Sequence, residues 1–266
     1  MSGRGVLAIL GGVGQAEACL HAAAVAARVL GGVTITVLHV RADPASTILP
    51  SEEVLGGREI RALERREAAD DAALAALVAA WSEEHCLWRS VAGNEAAEIV
   101  RRAQHTALVV LPRPDGEPAG HRRALDAALF EARLPVLAVP PVRSAGFGRH
   151  IAVGWKGEQA LARAAAGFAP FLRAAERVSV IGVGQRGASL ATAREVVGRF
   201  RPAIEEVAVA TGPGPVGRRL LEAAHEIGAD CLLIGAYAHG PTLEWLLGGV
   251  TRTVLQEATV PLLLRH

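Results

Sequence analysis

The stretch Ile151-Ala-Val-Gly-Trp155 is an apolar run, and it is followed by Lys156-Gly157, an alanine-rich segment and a second apolar run, Val178-Ser-Val-Ile-Gly-Val183. Short, continuous apolar runs are typical of strands that are buried on both faces of a sheet. The glycine marks a turn, and the alanine-rich segment favours a helix. The stretch therefore predicts a strand, a tight turn, a helix and a second strand.

The same pattern occurs near the N-terminus. Val6-Leu-Ala-Ile-Leu10 is followed by Gly11-Gly12, an alanine-rich segment and Val33-Thr-Ile-Thr-Val-Leu38. The two apolar runs begin 27 positions apart in each copy, from position 6 to 33 and from 151 to 178. A shared spacing of this kind indicates an internal repeat, and hence two similarly folded halves.

The halves also end alike. Leu108-Val-Val-Leu111 and Cys231-Leu-Leu-Ile234 are apolar runs, each followed by a loop, an amphipathic segment and a proline-marked strand, Pro135–Val139 or Pro261–Leu264. Proline is tolerated at a strand start because the first N–H need not join the ladder.

Helical periodicity fills the segments before the fourth and last strands of each half. The residues are Ala96, Ile99, Val100 and Ala103, with Val216, Leu220, Ala223 and Ala224 as their counterparts, and Leu125, Ala128, Leu129 and Ala132, with Leu247, Val250, Val254 and Ala258. Alternating strands and helices predict an α/β fold of two domains, each a mainly parallel five-stranded sheet flanked by helices.

Pro, Ser and Gly cluster at residues 140–148, which predicts a linker and places the domains at residues 1–143 and 148–266. Val136–Val139 and Val260–Leu264 are apolar edge strands. Because proteins cover such edges, we expect these two strands to pair with each other and to make the chain an intramolecular pseudo-dimer.

Composition narrows the class of protein. Among 266 residues, 51% are hydrophobic and 21% are charged, which provides a core and excludes a disordered chain. The formal charge of +1 gives no electrostatic case for a nucleic acid or an anionic membrane as partner. The longest apolar stretch, Ala72–Trp81, is far shorter than the roughly 20 residues of a membrane helix, so we expect a soluble, cytoplasmic protein. Three widely spaced cysteines predict free, mostly buried thiols and no metal site.

Ligands bind open parallel sheets at the carboxyl ends of the strands. The most informative such place follows the run that begins at Cys231, and reads Gly235-Ala-Tyr-Ala-His-Gly-Pro-Thr-Leu-Glu-Trp-Leu-Leu-Gly-Gly-Val-Thr251. Glycines let a backbone approach a phosphate, and N–H groups at a helix start offer an anion site. A surface loop that ends in an ordinary helix start explains the pattern equally well.

Residues 233–252, with Val260-Pro-Leu-Leu263, resemble the C-terminal signature of the universal stress protein (UspA-like) family. Residues 151–157 resemble the family's first strand and turn, whereas the first half matches mainly in layout. The resemblance implies a tandem, two-domain member with flavodoxin-like, Rossmann-like domains. It also implies a cytoplasmic location, a role in the stress response and pairing of domains through their last strands, within the chain or in a homodimer.

Nucleotide-binding members of the family carry the pattern Gly, two residues, Gly, nine residues, Gly, then Gly, Ser or Thr. Gly235 and Gly248 match the first and third glycines, Gly249 fills the next place, and Thr251 lies two positions further on. Ala238 replaces the second glycine.

The family also has an Asp after the first strand, where this chain has Lys156 in the second half and Gly11 in the first. A lysine cannot accept a hydrogen bond from a base or a ribose, although it can meet a phosphate as a charge. The loop Pro112–Gly120 of the first half is shorter and lacks the spaced glycines. We therefore expect the first half not to bind ATP.

The preferred hypothesis is a binding module of the stress response whose second domain binds an adenine nucleotide, ATP or AMP. The resemblance assigns phosphate contacts to the N–H groups of Gly248, Gly249 and Val250, a hydroxyl contact to Thr251, close approach to Gly235 and a place beside the base to Val183. His239 lies inside the loop, where a histidine is more often a structural donor than a catalyst.

Two alternatives stay open. A nucleotide-hydrolysing enzyme of the same fold needs a base or metal ligands near the loop, and only Lys156, His239 and Glu244 offer one. A ligand-free protein that acts by dimerisation needs none. A dinucleotide fingerprint fails because Glu17 stands where its last small residue belongs, and the single lysine excludes a P-loop.

Overall fold

The computed structural model describes residues 4–42, 57–81, 85–114, 119–141, 146–155, 158–184, 187–201, 203–235 and 249–266. The first half comprises β1 (Gly5–Ile9), α1 (Val13–Val29), β2 (Ile35–Ala42), α2 (Gly57–Ala80), β3 (Cys86–Gly93), α3 (Glu95–Arg102), β4 (Thr106–Pro112), α4 (Ala119–Asp126) with a π-helical turn (Ala127–Glu131), and β5 (Val136–Val139). The second half comprises β6 (His150–Gly154), α5 (Glu158–Gly167), α6 (Ala169–Ala174), β7 (Arg177–Val183), α7 (Ala188–Gly198), β8 (Glu205–Val209), α8 (Val216–Glu226), β9 (Cys231–Gly235), α9 (Gly249–Glu257) and β10 (Leu262–Arg265).

The ten strands form one sheet in the order β3-β2-β1-β4-β5-β10-β9-β6-β7-β8. Neighbouring strands are parallel except β5 and β10, which pair antiparallel with Leu262 opposite Ala138 and Leu264 opposite Val136. The predicted pairing of the two last strands is therefore confirmed. Each half contributes five strands in the same order, and the two orders mirror each other about the central pair.

Helices cover both faces of the sheet, and each face has one apolar core that continues across the two halves. Helices α1, α2, α5, α6 and α7 contribute to one core, and α3, α4, α8 and α9 contribute to the other. Successive side chains of β10 point to opposite cores: Leu263 faces the first core, while Leu262 and Leu264 face the second. The predicted α/β class with mainly parallel sheets is confirmed.

The two outermost strands are the elements that the apolar runs did not reveal. In β3 and β8 exposed positions occur between half-buried ones, because these outer strands are only partly covered on their faces. Cys19 and Cys231 are buried and Cys86 is half-buried, in agreement with the prediction of mostly buried thiols. Within the described residues, no helix has both the length and the apolar character needed to cross a bilayer.

Candidate functional site

A cavity of about 240 Å³ lies at the carboxyl ends of β6, β7 and β9 in the second half. Gly154, Val183 and Gly235 are the last residues of these strands, and all three line the cavity. Because β6 lies between β7 and β9, the chain reverses its direction of travel across the sheet at this point. Open α/β sheets bind ligands at such a switch point.

The walls of the cavity are mainly apolar. Ile181 and Ile234 belong to the strands, and Val216, Leu220 and Val250 belong to α8 and α9. The volume is slightly below the roughly 300–1,000 Å³ of typical ligand clefts. Walls of this kind suit an apolar or aromatic group, with polar contacts left to the rim.

Two helix N-termini meet at the rim. Val216 begins α8, while Val250 and Thr251 lie in the first turn of α9. The first N–H groups of a helix have no partner within it, and they carry the positive end of its dipole. Among the described residues, neither helix has an acidic residue in its first turn that would cancel this potential. The rim is therefore suited to an anion.

Two glycines in this region permit close packing. A Cβ on Gly217 of α8 would lie 2.8 Å from the carbonyl oxygen of Val250, so this glycine lets α8 and α9 approach each other. A Cβ on Gly235 would lie 2.9 Å from the carbonyl oxygen of Ala160. The close approach that Gly235 permits in the structure is therefore to helix α5.

Trp155 is a lining residue that the sequence patterns did not single out. Its indole Nε1 donates a hydrogen bond to the hydroxyl of Ser189 at 2.7 Å, which fixes the ring at the edge of the cavity. The sequence did contain a signal for this residue. Trp155 is aromatic, it comes directly after the first strand of the repeat, and it is next to an expected ligand position.

Of the residues predicted to form the site, Val183, Gly235, Val250 and Thr251 line this one cavity. Gly249 is exposed at the start of α9, beside them. His239 and Gly248, together with Lys156, Ala238, Glu244 and the helical position Leu247, lie outside the described residues. No cluster of three or more metal-ligating side chains occurs among the residues that are described.

The equivalent crevice of the first half is filled. A Cβ on Gly11 would overlap the imidazole of His121, so this ring occupies the space at the end of β1. His121 Nδ1 lies 3.8 Å from a carboxylate oxygen of Glu95, and both side chains are largely buried. Glu95 also places a negative charge in the first turn of α3, where Asn94 already accepts a hydrogen bond from the Ala97 N–H.

Two further polar clusters lie away from the cavity. His39 of β2 meets Asp71 of α2 at 2.9 Å under the first half of the sheet. His150 Nε2 lies 2.8 Å from the hydroxyl of Ser179, which donates to Glu205 at 3.0 Å. His150 and Glu205 begin their strands, so this second cluster is at the amino ends, opposite the cavity.

The sequence matches the family model of the universal stress protein family over residues 115–266, and the chain belongs to that family. A universal stress protein from Archaeoglobus fulgidus DSM 4304 has a similar structure, with a TM-score of 0.65, 15% identity and 97% of each chain covered. A functionally unknown protein from Pseudomonas aeruginosa PAO1 aligns with a TM-score of 0.59 at 16% identity, over 98% of this chain and 92% of that one.

Both long alignments include the first half, so the chain is a tandem member in which each half has the family fold. A universal stress protein from Archaeoglobus fulgidus solved in complex with dAMP aligns over 44% of this chain and 96% of its own, with a TM-score of 0.34 and 19% identity. The sequence matches no curated protein.

Proposed function

We propose that the second half binds an adenine nucleotide, ATP or AMP, in the cavity at the ends of β6, β7 and β9. The protein then acts as a nucleotide-binding module of the stress response. The observation that carries the proposal is the combination of an apolar cavity at the switch point with two helix N-termini at its rim. The dAMP complex of a family member suggests which class of ligand to try first.

In this proposal the base lies against the apolar wall, beside Ile181 and Val183. The phosphates lie at the start of α9, where the N–H groups of Gly249 and Val250 donate to them and the Thr251 hydroxyl adds a contact. Thr251 is 7% exposed and lines the cavity, so its side chain is in position to meet a ligand there. Gly248 and His239 join the site on sequence grounds alone.

Binding without turnover is the form that we propose. None of the ten described lining residues carries a carboxylate, an imidazole or a thiol that could act as a general base or hold a metal. Hydrolysis needs such a group within hydrogen-bond reach of the attacking water.

Mass spectrometry of freshly purified, denatured protein tests the proposal first, because a retained nucleotide is released and identified directly. We expect ATP, ADP or AMP in the released fraction, or, if the protein is purified empty, micromolar affinity for ATP by calorimetry. Absence of retained nucleotide together with absence of binding at millimolar ATP and AMP would contradict the proposal and favour a ligand-free interaction protein.

A further inference from the structure

Arg113 connects the two halves at a place that bears on the cavity. It follows β4 of the first half, it is 7% exposed, and its guanidinium reaches helix α9 of the second half. Nη1 donates to the carbonyl oxygen of Gln256 at 2.6 Å and also to the carbonyl oxygen of Leu255.

These carbonyls are part of the unpaired set at the end of a helix. The last four C=O groups of an α-helix have no partner within it. In α9 the N–H of Ala258 bonds the Val254 carbonyl, which leaves the next two carbonyls to Arg113. The cap of this helix is therefore supplied from the other half of the molecule.

The charge of Arg113 also suits its position. A cation near the C-terminus of a helix interacts favourably with the helix dipole, and α9 has no basic residue in its own last turn. Glu257, whose carboxylate opposes the dipole, is paired with Arg218 of α8 at 2.7 and 2.9 Å. Arg113 thus provides the buried positive charge that the sequence of α9 lacks.

The sheet holds Arg113 firmly in place. Its N–H donates to the carbonyl of Val139 at 2.7 Å and extends the β4–β5 ladder by one residue. Helix α9 is a short element of nine residues, and its opposite end forms the rim of the cavity. A constraint on its last turn therefore acts on the position of Val250 and Thr251 in its first.

We propose that Arg113 is a positioning residue for the nucleotide cavity, which it serves by capping α9 from the first half and fixing where the first turn of that helix meets the phosphates. The inference rests on the proposed function. It gives the first half a role in ligand binding although its own crevice is filled by His121.

The test compares full-length wild type with Arg113→Ala, Arg113→Lys and the control Arg218→Ala, which removes an exposed ion pair from the same end of α9. Three quantities are measured. Hydrogen exchange of peptides covering residues 249–258 is followed without ligand, ATP affinity is determined by calorimetry, and the urea midpoint reports global stability.

We expect Arg113→Ala to speed exchange in α9 and to weaken ATP binding about tenfold or more. Arg113→Lys should recover part of both, because it keeps the charge but loses the fork of donors. Arg218→Ala should change ATP affinity by less than about twofold, since exposed ion pairs contribute little.

A lower urea midpoint with unchanged ATP affinity and unchanged exchange in α9 would overturn the inference, because a purely structural contact behaves in that way. Faster exchange with unchanged affinity would also overturn it, since α9 would then move without consequence for the ligand. If Arg113→Ala does not fold, the Lys variant decides by the same criteria. If wild type binds no ATP, the proposed function fails, and unchanged exchange in the Arg113 variants would separately show that the residue does not position α9.

Discussion

The crevices of the two halves lie at equivalent switch points of one continuous sheet, yet they differ in content. In the first half, His121 fills the space beside Gly11, and Glu95 adds a negative charge to the start of α3. In the second half, α8 begins at Val216 with no acidic residue in its first turn, and the equivalent space is an open cavity. The same backbone therefore supports either a packed polar contact or an open cavity, and a few side chains decide which.

Because the two crevices differ, substitutions in them should change different measured quantities. Changes in the first crevice should alter the free energy of unfolding, whereas changes in the second should alter nucleotide affinity. Arg113 is the exception, since it belongs to the first half and contacts a helix of the second.

The largest effect is expected for Val216→Glu. This substitution places a carboxylate in the first turn of α8, as Glu95 does in the first turn of α3. A carboxylate is compatible with the first turn of a helix, and Val216 is 44% exposed, so folding should survive. At about 6 Å and an effective dielectric constant of about 20, two like charges repel by roughly 2.8 kcal/mol, or about a hundredfold in affinity for ATP. Calorimetry measures the loss, and the neutral Val216→Gln is the control. An equal loss in both variants would point to shape rather than charge.

The next effect concerns the second residue after the first strand of each half, which is Gly11 or Lys156. Lys156 follows Trp155, a lining residue of the cavity, and an ammonium offers donors only. We expect Lys156→Asp to raise ATP affinity about tenfold, or about 1.4 kcal/mol, and to increase the preference for ATP over GTP. The control Lys156→Met removes the positive charge without adding a hydrogen-bond acceptor. Any further gain in the Asp variant is then due to the acceptor. Weaker binding by the Asp variant would make Lys156 a working ligand of the phosphates.

A smaller effect should appear when the first crevice is crowded. Gly11→Ala places a methyl group against the ring of His121, and such overpacking costs about 1 kcal/mol or more in unfolding free energy. In the His121→Ala background the same change should cost little, because the space is then free. Urea unfolding of the four proteins gives the coupling energy. Equal costs in both backgrounds would show that His121 does not fill this crevice.

The smallest effect is predicted for the contact between His39 and Asp71. Burial raises the pKa of the Asp71 carboxyl, but the hydrogen bonds from His39 and Ser90 and the positive charge of Arg41 outweigh it, so the pKa lies below its ordinary value. The ionised form is therefore favoured in the folded state, and this stability is present above pH about 4 and lost as the pH falls through the folded pKa.

Asp71→Asn should consequently lower the free energy of unfolding by about 0.5–1 kcal/mol at pH 7, and by less near pH 3. Urea unfolding at the two pH values measures this, with ATP affinity as the control. A difference from wild type that is as large at pH 3 as at pH 7, or a change in ATP affinity, would contradict the assignment.

Much of the fold could be predicted from the sequence because it depends on local patterns. The repeated spacing of apolar runs located β1, β2, β6 and β7, and the prolines before β5 and β10 marked the strands that join the halves. The strands β3 and β8 escaped this reasoning, since both consist of half-buried and exposed residues and lack a long apolar run.

The cavity could be predicted only in part. The glycine-rich segment and the family resemblance led to Val250 and Thr251, which are close to that segment in sequence. Val216 and Trp155 enter the site because α8 and β6 converge on it in space. Arg113 lies 143 residues from its acceptor Gln256, and no spacing in the sequence relates the two.

The pairing of β5 with β10 also means that β5 is synthesised long before its partner strand. All four residues of β5 are buried in the folded protein, but Leu262, the partner of Ala138, is translated 124 residues later. At roughly 5–20 residues per second, β5 waits about 6–25 seconds for its partner on the ribosome. An unpaired apolar strand is a template for association with other chains. The nascent protein is therefore most exposed to misassembly after its first half has folded and before its last strand has been made.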